Sequence, residues 1–204
     1  ALDQKRFDVQ RDVVKNERRQ SYENRPYGSA QLMMQPLLFP PPHPYSWPVI
    51  GSQEDLDLAS LEDIKSFFRQ YYCPSNASLA IAGDFDGSKV RSLVERYFGD
   101  IPPGQSINRI GRMESGLQGE VRVEMKDKIQ LSRLTIAWPT VPTFDRDEAA
   151  LDILACMLGD GKSSRLYKIL VYDKQIAREV VIGNYSQEIA GEFHIQITAG
   201  NGGD

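Results

Sequence analysis

Residues Gly99 to Gly119 divide this chain. The segment holds five glycines and the pair Pro102-Pro103, with few large apolar side chains to anchor it. Proline removes a backbone donor and glycine loosens the backbone, so such a run reads as a connector between folded parts. A length of 204 residues accommodates either one large domain or two smaller ones. The connector favours two. Helical and strand-like patterns come in separate runs on either side of it, which predicts an α+β fold and not a doubly wound parallel sheet.

Before the connector, the spacing predicts a first helix over Phe7 to Glu23. It stops near Asn24, because Arg25-Pro26 disfavours further helix. A second helix, Ser29 to Phe39, carries Leu32, Met33, Leu37 and Leu38, and a proline-dense loop follows, closing at Gly51. Ser60 and Asp63 form a capping box opening a third helix, whose inward face is Leu61, Ile64, Phe67, Phe68 and Tyr71. Ala77 to Ala82 reads as a strand. Gly87 to Phe98 reads as a helix with Val90, Leu93, Val94 and Tyr97 inward. After the connector come strands over Glu120 to Lys126 and Leu131 to Trp138, then a helix over Arg146 to Leu158. Gly159 and Gly161 break the chain. A helix over Ser163 to Val171 precedes two closing strands, Glu179 to Ser186 and Glu192 to Ala199.

The residue with the most chemical content is Glu17. Phe7, Gln10, Val14, Glu17 and Ser21 share one helix face, while Arg11, Lys15, Arg18, Arg19 and Arg25 lie off it and read as solvated. A carboxylate on a core-facing stripe is costly unless a cation, a metal or several donors meet it. Glu17 is therefore either a satisfied structural carboxylate or a metal ligand.

Other motifs give a family. The runs RDVVKNERRQSYENRPYG, HPYSWPVIG, SLEDIKSFFRQYYCPSNASLAIAGDFD and ERYFGDIP, in that order, resemble the insulinase-like (pitrilysin) zinc metallopeptidases, above all their bacterial members with short subunits. The resemblance covers residues 7 to about 200. Those enzymes carry an inverted zinc motif, H-x-x-E-H, whose glutamate is the general base. A third zinc ligand is a later glutamate within DVVxxE, the position Glu17 matches. The resemblance thus implies Zn²⁺ in the parent protein, which would activate a water and polarise the scissile carbonyl of a peptide or unfolded polypeptide. A second glutamate commonly lies two helical turns before that ligand. Here Gln10 stands there, able to hydrogen-bond but uncharged.

H-x-x-E-H itself is missing. His43 and His194 are the only histidines, and Cys73 and Cys156 are distant from both. The chain also opens on ALDQKRF and closes on NGGD, so it reads as an internal fragment, expected to hold no catalytic residue and neither to bind catalytic zinc nor to cleave a peptide by itself. The family repeats one α+β domain, with antiparallel sheets and helices packed on one face. On that plan residues 1–104 are the C-terminal half of a zinc-type domain, 105–119 the linker, and 120–204 the N-terminal half of an inactive-type domain. The helix EAALDILACML then takes the place of the zinc helix, without histidines.

Many such peptidases use an Arg and a Tyr seven residues apart to grip substrate. Aligned on Arg165-Leu166-Tyr167, those positions here hold Val171 and Arg178. The resemblance therefore implies a second family subunit supplying the pair. The alternative is a non-catalytic scaffold or accessory subunit. The net charge of −4 argues against nucleic acid, and no apolar run reaches membrane-span length. Localisation stays open; the family style points to a bacterial protein exported to the periplasm. His43 is expected to pack in its loop, His194 to face solvent or a sheet edge, and Trp47 and Trp138 to be packing residues.

Overall fold

The structure is a computed structural model describing residues 2–200. In chain order the elements are α1 (Gln4–Arg18), a π-helical turn (Arg19–Glu23), α2 (Gly28–Leu38), α3 (Gln53–Leu58), α4 (Leu61–Tyr71), α5 (Gly87–Phe98), β1 (Arg133–Thr140), α6 (Glu148–Gly159), α7 (Arg165–Tyr167) running into a second π-helical turn (Lys168–Asp173), β2 (Ala177–Ser186) and β3 (Gly191–Ala199). They form an α+β fold divided into two compact units. One comprises the chain up to Val13 and Gln53–Arg109; the other comprises Val14–Ser52 and the chain from Ile110 onward.

The first unit is helical. Ser60 caps α4 through the expected reciprocal box: its hydroxyl accepts from the Asp63 amide at 3.2 Å, and the Asp63 carboxylate accepts from the Ser60 amide at 2.8 Å. The Ser60 hydroxyl also donates to that carboxylate at 2.6 Å, and these bonds hold the Asp63 carboxyl below its ordinary range. Asp86 caps α5 with its side chain alone, its carboxyl lowered by hydrogen bonds from the Ser88 side chain and the Lys89 and Ser88 amides. The Cys73–Asn76 corner is tied to the chain at Pro103 by a Ser75 N–H to Pro103 carbonyl bond of 2.9 Å. Gly104 sits against Cys73 with φ +81°, leaving neither space nor favourable backbone for a side chain.

Three expectations for this unit are corrected. Ala77 to Ala82 has no regular secondary structure and forms no ladder. A strand requires a neighbouring edge for its N–H and C=O groups, and among the described residues this unit contains no other strand. In consequence the apolar face of α4 is only partly covered: Leu61, Ile64 and Tyr71 are half-buried, but Phe67 stays 51% exposed and Phe68 is also exposed. The rings cover one another instead, with Phe67–Tyr71 and Phe68–Tyr72 centroids 4.7 and 4.4 Å apart. Likewise Val90 and Val94 of α5 are half-buried while Leu93 and Tyr97 are exposed.

The second unit holds an antiparallel sheet in the order β1–β3–β2. Glu120 to Lys126, expected to join it, has no regular secondary structure and pairs with no strand, with Val121, Val123 and Met125 exposed. Register sorts the sheet residues onto two faces. Phe193 pairs with Trp138 and Asn184, and Ile195 with Ile136 and Ile182. Helix α6 packs on this face: Gly159 lies so close to Ile182 that an added Cβ would stand 2.6 Å from the isoleucine Cβ, and Asn184 donates to Asp152 at 2.9 Å. The opposite face carries Arg133, Thr198 and Glu179 in one rung and Ala137, His194 and Gly183 in another. Ala137 packs on a small core of Leu38, Phe39 and Ala190, joined by Tyr45 and Leu117. Tyr45 fixes the hairpin loop by accepting from the Ile189 amide at 3.2 Å.

Candidate metal centre

Glu17 lies in the last α-helical turn of α1, and Gln10 two turns earlier on the same face. The stripe they were assigned to is not uniformly core-facing. Phe7, Val14 and Ser21 are half-buried, whereas Gln10 and Glu17 are exposed. The off-stripe arginines are corrected in the other direction. The Arg18 side chain is 15% exposed, donates to the Gly51 carbonyl at 2.8 Å and lies 3.3 Å from the Glu23 carboxylate. Arg11 is half-buried, donating to the Ala59 carbonyl at 3.3 Å. These long cations bury their stems and use the helix surface for polar anchoring, so the apolar stripe alone misjudges which side is covered.

Immediately beyond Glu17 the helix widens into the π turn, where the Asn24 amide donates to the Arg19 carbonyl at 2.8 Å. Tyr27 then adopts a left-handed conformation (φ 63°) and Gly28 opens α2. An added Cβ on Gly28 would stand 2.6 Å from the Tyr22 carbonyl carbon and 2.7 Å from its Cα. Glycine at 28 is thus what lets the chain turn tightly after the helix bearing Glu17.

The described residues do not by themselves fit zinc. The metal takes three or four protein ligands, and among the described residues no group of three or more His, Cys, Asp or Glu converges on one point. His43 is 1% exposed; its Nδ1 accepts from the Tyr45 amide at 3.0 Å and its ring lies 4.7 Å from that of Phe39. It is a loop-packing residue, as expected. His194 is not at an edge: it lies on the central strand β3, half-buried, stacked on Tyr185 at 4.6 Å and 3.7 Å from the Glu192 carboxylate. Cys73 is buried and Cys156 exposed, both as free thiols. Trp47 and Trp138, both expected to pack, are 60% and 46% exposed, although the Trp138 ring centroid lies 6.2 Å from that of Phe193.

A polar cluster in the second unit escaped the sequence reading. The Arg133 guanidinium lies over the Tyr27 ring at 3.8 Å, donates to Thr198 Oγ1 at 3.1 Å and approaches the Glu179 carboxylate at 3.7 Å. The Tyr27 hydroxyl donates to the Leu131 carbonyl at 2.6 Å. No local motif announces this cluster, since Tyr27 and Arg133 are far apart in sequence. Val171 lies half-buried in the second π turn. Arg178 occupies a β-bulge at the start of β2, where the pairing shifts between Ala177 and Glu179.

Comparison with known proteins places this architecture in a family. The profile described as the peptidase M16 inactive domain matches residues 59–202. The chain therefore belongs to the M16, insulinase-like peptidase family, through its inactive-type domain. It is 31% identical to the zinc protease PqqE of Helicobacter pylori over 210 residues, covering 98% of this chain and 45% of that protein. A crystal structure of a protease from Helicobacter pylori superposes with a TM-score of 0.79 at 27% identity, covering 98% of this chain and 49% of that one. Pitrilysin shares the fold, with a TM-score of 0.63 at 14% identity over 99% of this chain and 22% of that one. The chain thus spans about half, or less, of the length of these relatives. Among the described residues no helix is long and apolar enough to cross a membrane.

Proposed function

We propose that this chain is part of a zinc-dependent metalloendopeptidase that hydrolyses peptides or unfolded protein segments, and that Glu17 is one of its zinc ligands. The observation carrying this reading is the match to a zinc protease along almost the whole chain, at 31% identity. In it, residues 1–104 complete the zinc-type domain, 105–119 link, and 120–204 begin the inactive-type domain. The two histidines and the general-base glutamate belong to a part of the protein these 204 residues do not contain. Glu17 contributes a carboxylate from the exposed face of α1, and Gln10, two turns away, orients the site through hydrogen bonds. Helix α6 stands where a zinc helix would stand in a repeat and carries no histidine. A second subunit provides the Arg/Tyr pair that Val171 and Arg178 replace. The family style also favours export to the bacterial periplasm.

A second reading has its own support. The matched profile is that of the inactive domain, which suits a scaffold or accessory subunit. Hydrolysis of an unfolded peptide by the whole protein, with and without a chelator, separates the two. Metal-dependent cleavage, lost in Glu17→Gln, supports the peptidase. Absence of cleavage both alone and with the partner subunit contradicts it.

A further inference from the structure

We infer that the cleft between the Tyr27 corner and the β1–β3–β2 sheet is a binding site for a carboxylate group of the bound peptide. This inference rests on the peptide-acting reading above. The cleft is open to solvent and has a volume of about 520 Å³, within the ordinary range for ligand sites. Its floor is the sheet rung Arg133–Thr198–Glu179, and Tyr27 closes one wall. Lys128 and Arg178 also line it.

The bulge in β2 is what builds it. Successive residues of a regular strand point to opposite faces. Here Arg178 is the extra residue between two paired ones, so Arg178 and Glu179 both line the same cleft. The charges do not balance. Three cations, Lys128, Arg133 and Arg178, face one carboxylate, Glu179, within a chain of net charge −4. Arg133 is already engaged by Tyr27, Thr198 and Glu179. Among the described residues, the Lys128 and Arg178 side chains have neither a hydrogen bond nor an ion pair. Two unengaged cations lining the same cleft as a hydrogen-bonded rung suit one negative group of modest size. On a peptide that group is an acidic side chain or the C-terminal carboxylate.

The test is fluorescence anisotropy on the whole protein with its metal chelated, so that binding is read without turnover. The probes are a labelled, C-terminally amidated peptide with a central run of glutamates, its glutamine counterpart, and the glutamine peptide with a free C-terminus. At least one carboxylate-bearing probe should bind about tenfold more tightly than the neutral one, the gain expected of two partly exposed charge pairs. Which probe gains identifies the source of the carboxylate. A Lys128→Gln/Arg178→Gln variant should reduce that probe to the affinity of the neutral one, which should itself not change. Equal binding of all three probes, or a preference surviving the double substitution, overturns the inference and leaves the peptide reading standing. Failure of every peptide to bind overturns both.

Discussion

Replacing Gly28 by alanine tests the corner that follows the Glu17 helix. The new Cβ would lie 2.6 Å from the Tyr22 carbonyl carbon, against about 3.5 Å for an ordinary carbon–carbon contact. Both partners are backbone, so no side-chain rotation relieves the overlap. The corner must open by roughly 1 Å, a shift that strains the Asn24 to Arg19 and Gly28 to Arg25 bonds of 2.8 and 3.0 Å. Losing those two bonds costs about 2 kcal/mol, and looser packing of α2 on its neighbours brings the total to about 3 kcal/mol. For a chain of this size that is a fall in midpoint of roughly 6–12 °C. Trp47 and Trp138 are the only tryptophans and both lie in the second unit, so intrinsic fluorescence reports the unit that contains the corner. Gly87→Ala is the control: nothing lies within 4 Å of its added Cβ, and reduced freedom of the unfolded chain predicts a gain of about 0.5 kcal/mol by circular dichroism. A Gly28→Ala protein with an unchanged fluorescence midpoint refutes the argument.

Gln175 holds φ 53° between α7 and β2, a conformation that penalises any residue with a Cβ. Gln175→Gly should stabilise the second unit by up to about 1 kcal/mol in denaturant unfolding, and a loss of stability would show that the left-handed turn is not strained. The caps of α4 and α5 should weaken in acid. Asp63 and Asp86 have folded pKa values below 3.8, so their stabilisation is complete above that pH and is lost as the pH falls through the lower folded values. Amide protection in α4, corrected for the intrinsic exchange rate, should fall below about pH 4 in the native sequence and much less so in Asp63→Asn; identical acid profiles would remove the capping explanation.

What could be read from the sequence was local. The Ser60–Asp63 box, the stop near Asn24 and the positions of strands β1 to β3 depend on residues a few positions apart, and they appear in the structure. What could not be read depends on partners. Ala77 to Ala82 and Glu120 to Lys126 have strand-like composition but no paired neighbour among the described residues, so alternation there does not become a ladder. The π turns shift hydrogen bonds by one residue without altering composition, which is why the helix after Ser163 was expected to be regular. Arg18 looked solvated because its anchor, the Gly51 carbonyl, lies across a loop. The Arg133–Tyr27 contact and the bulge at Arg178 arise only when distant segments meet. Glu17 drew notice as a carboxylate on an apolar stripe, yet it is exposed. Its assignment as a ligand comes from the DVVKNE pattern and not from burial.

The most direct test of the central proposal is the zinc content of the whole protein, measured by atomic emission after exhaustive dialysis. The account predicts one zinc per chain in the native protein, none in Glu17→Gln, and retention with about 10- to 100-fold weaker affinity in Gln10→Ala. A folded Glu17→Gln protein that still holds stoichiometric zinc at native affinity would contradict it.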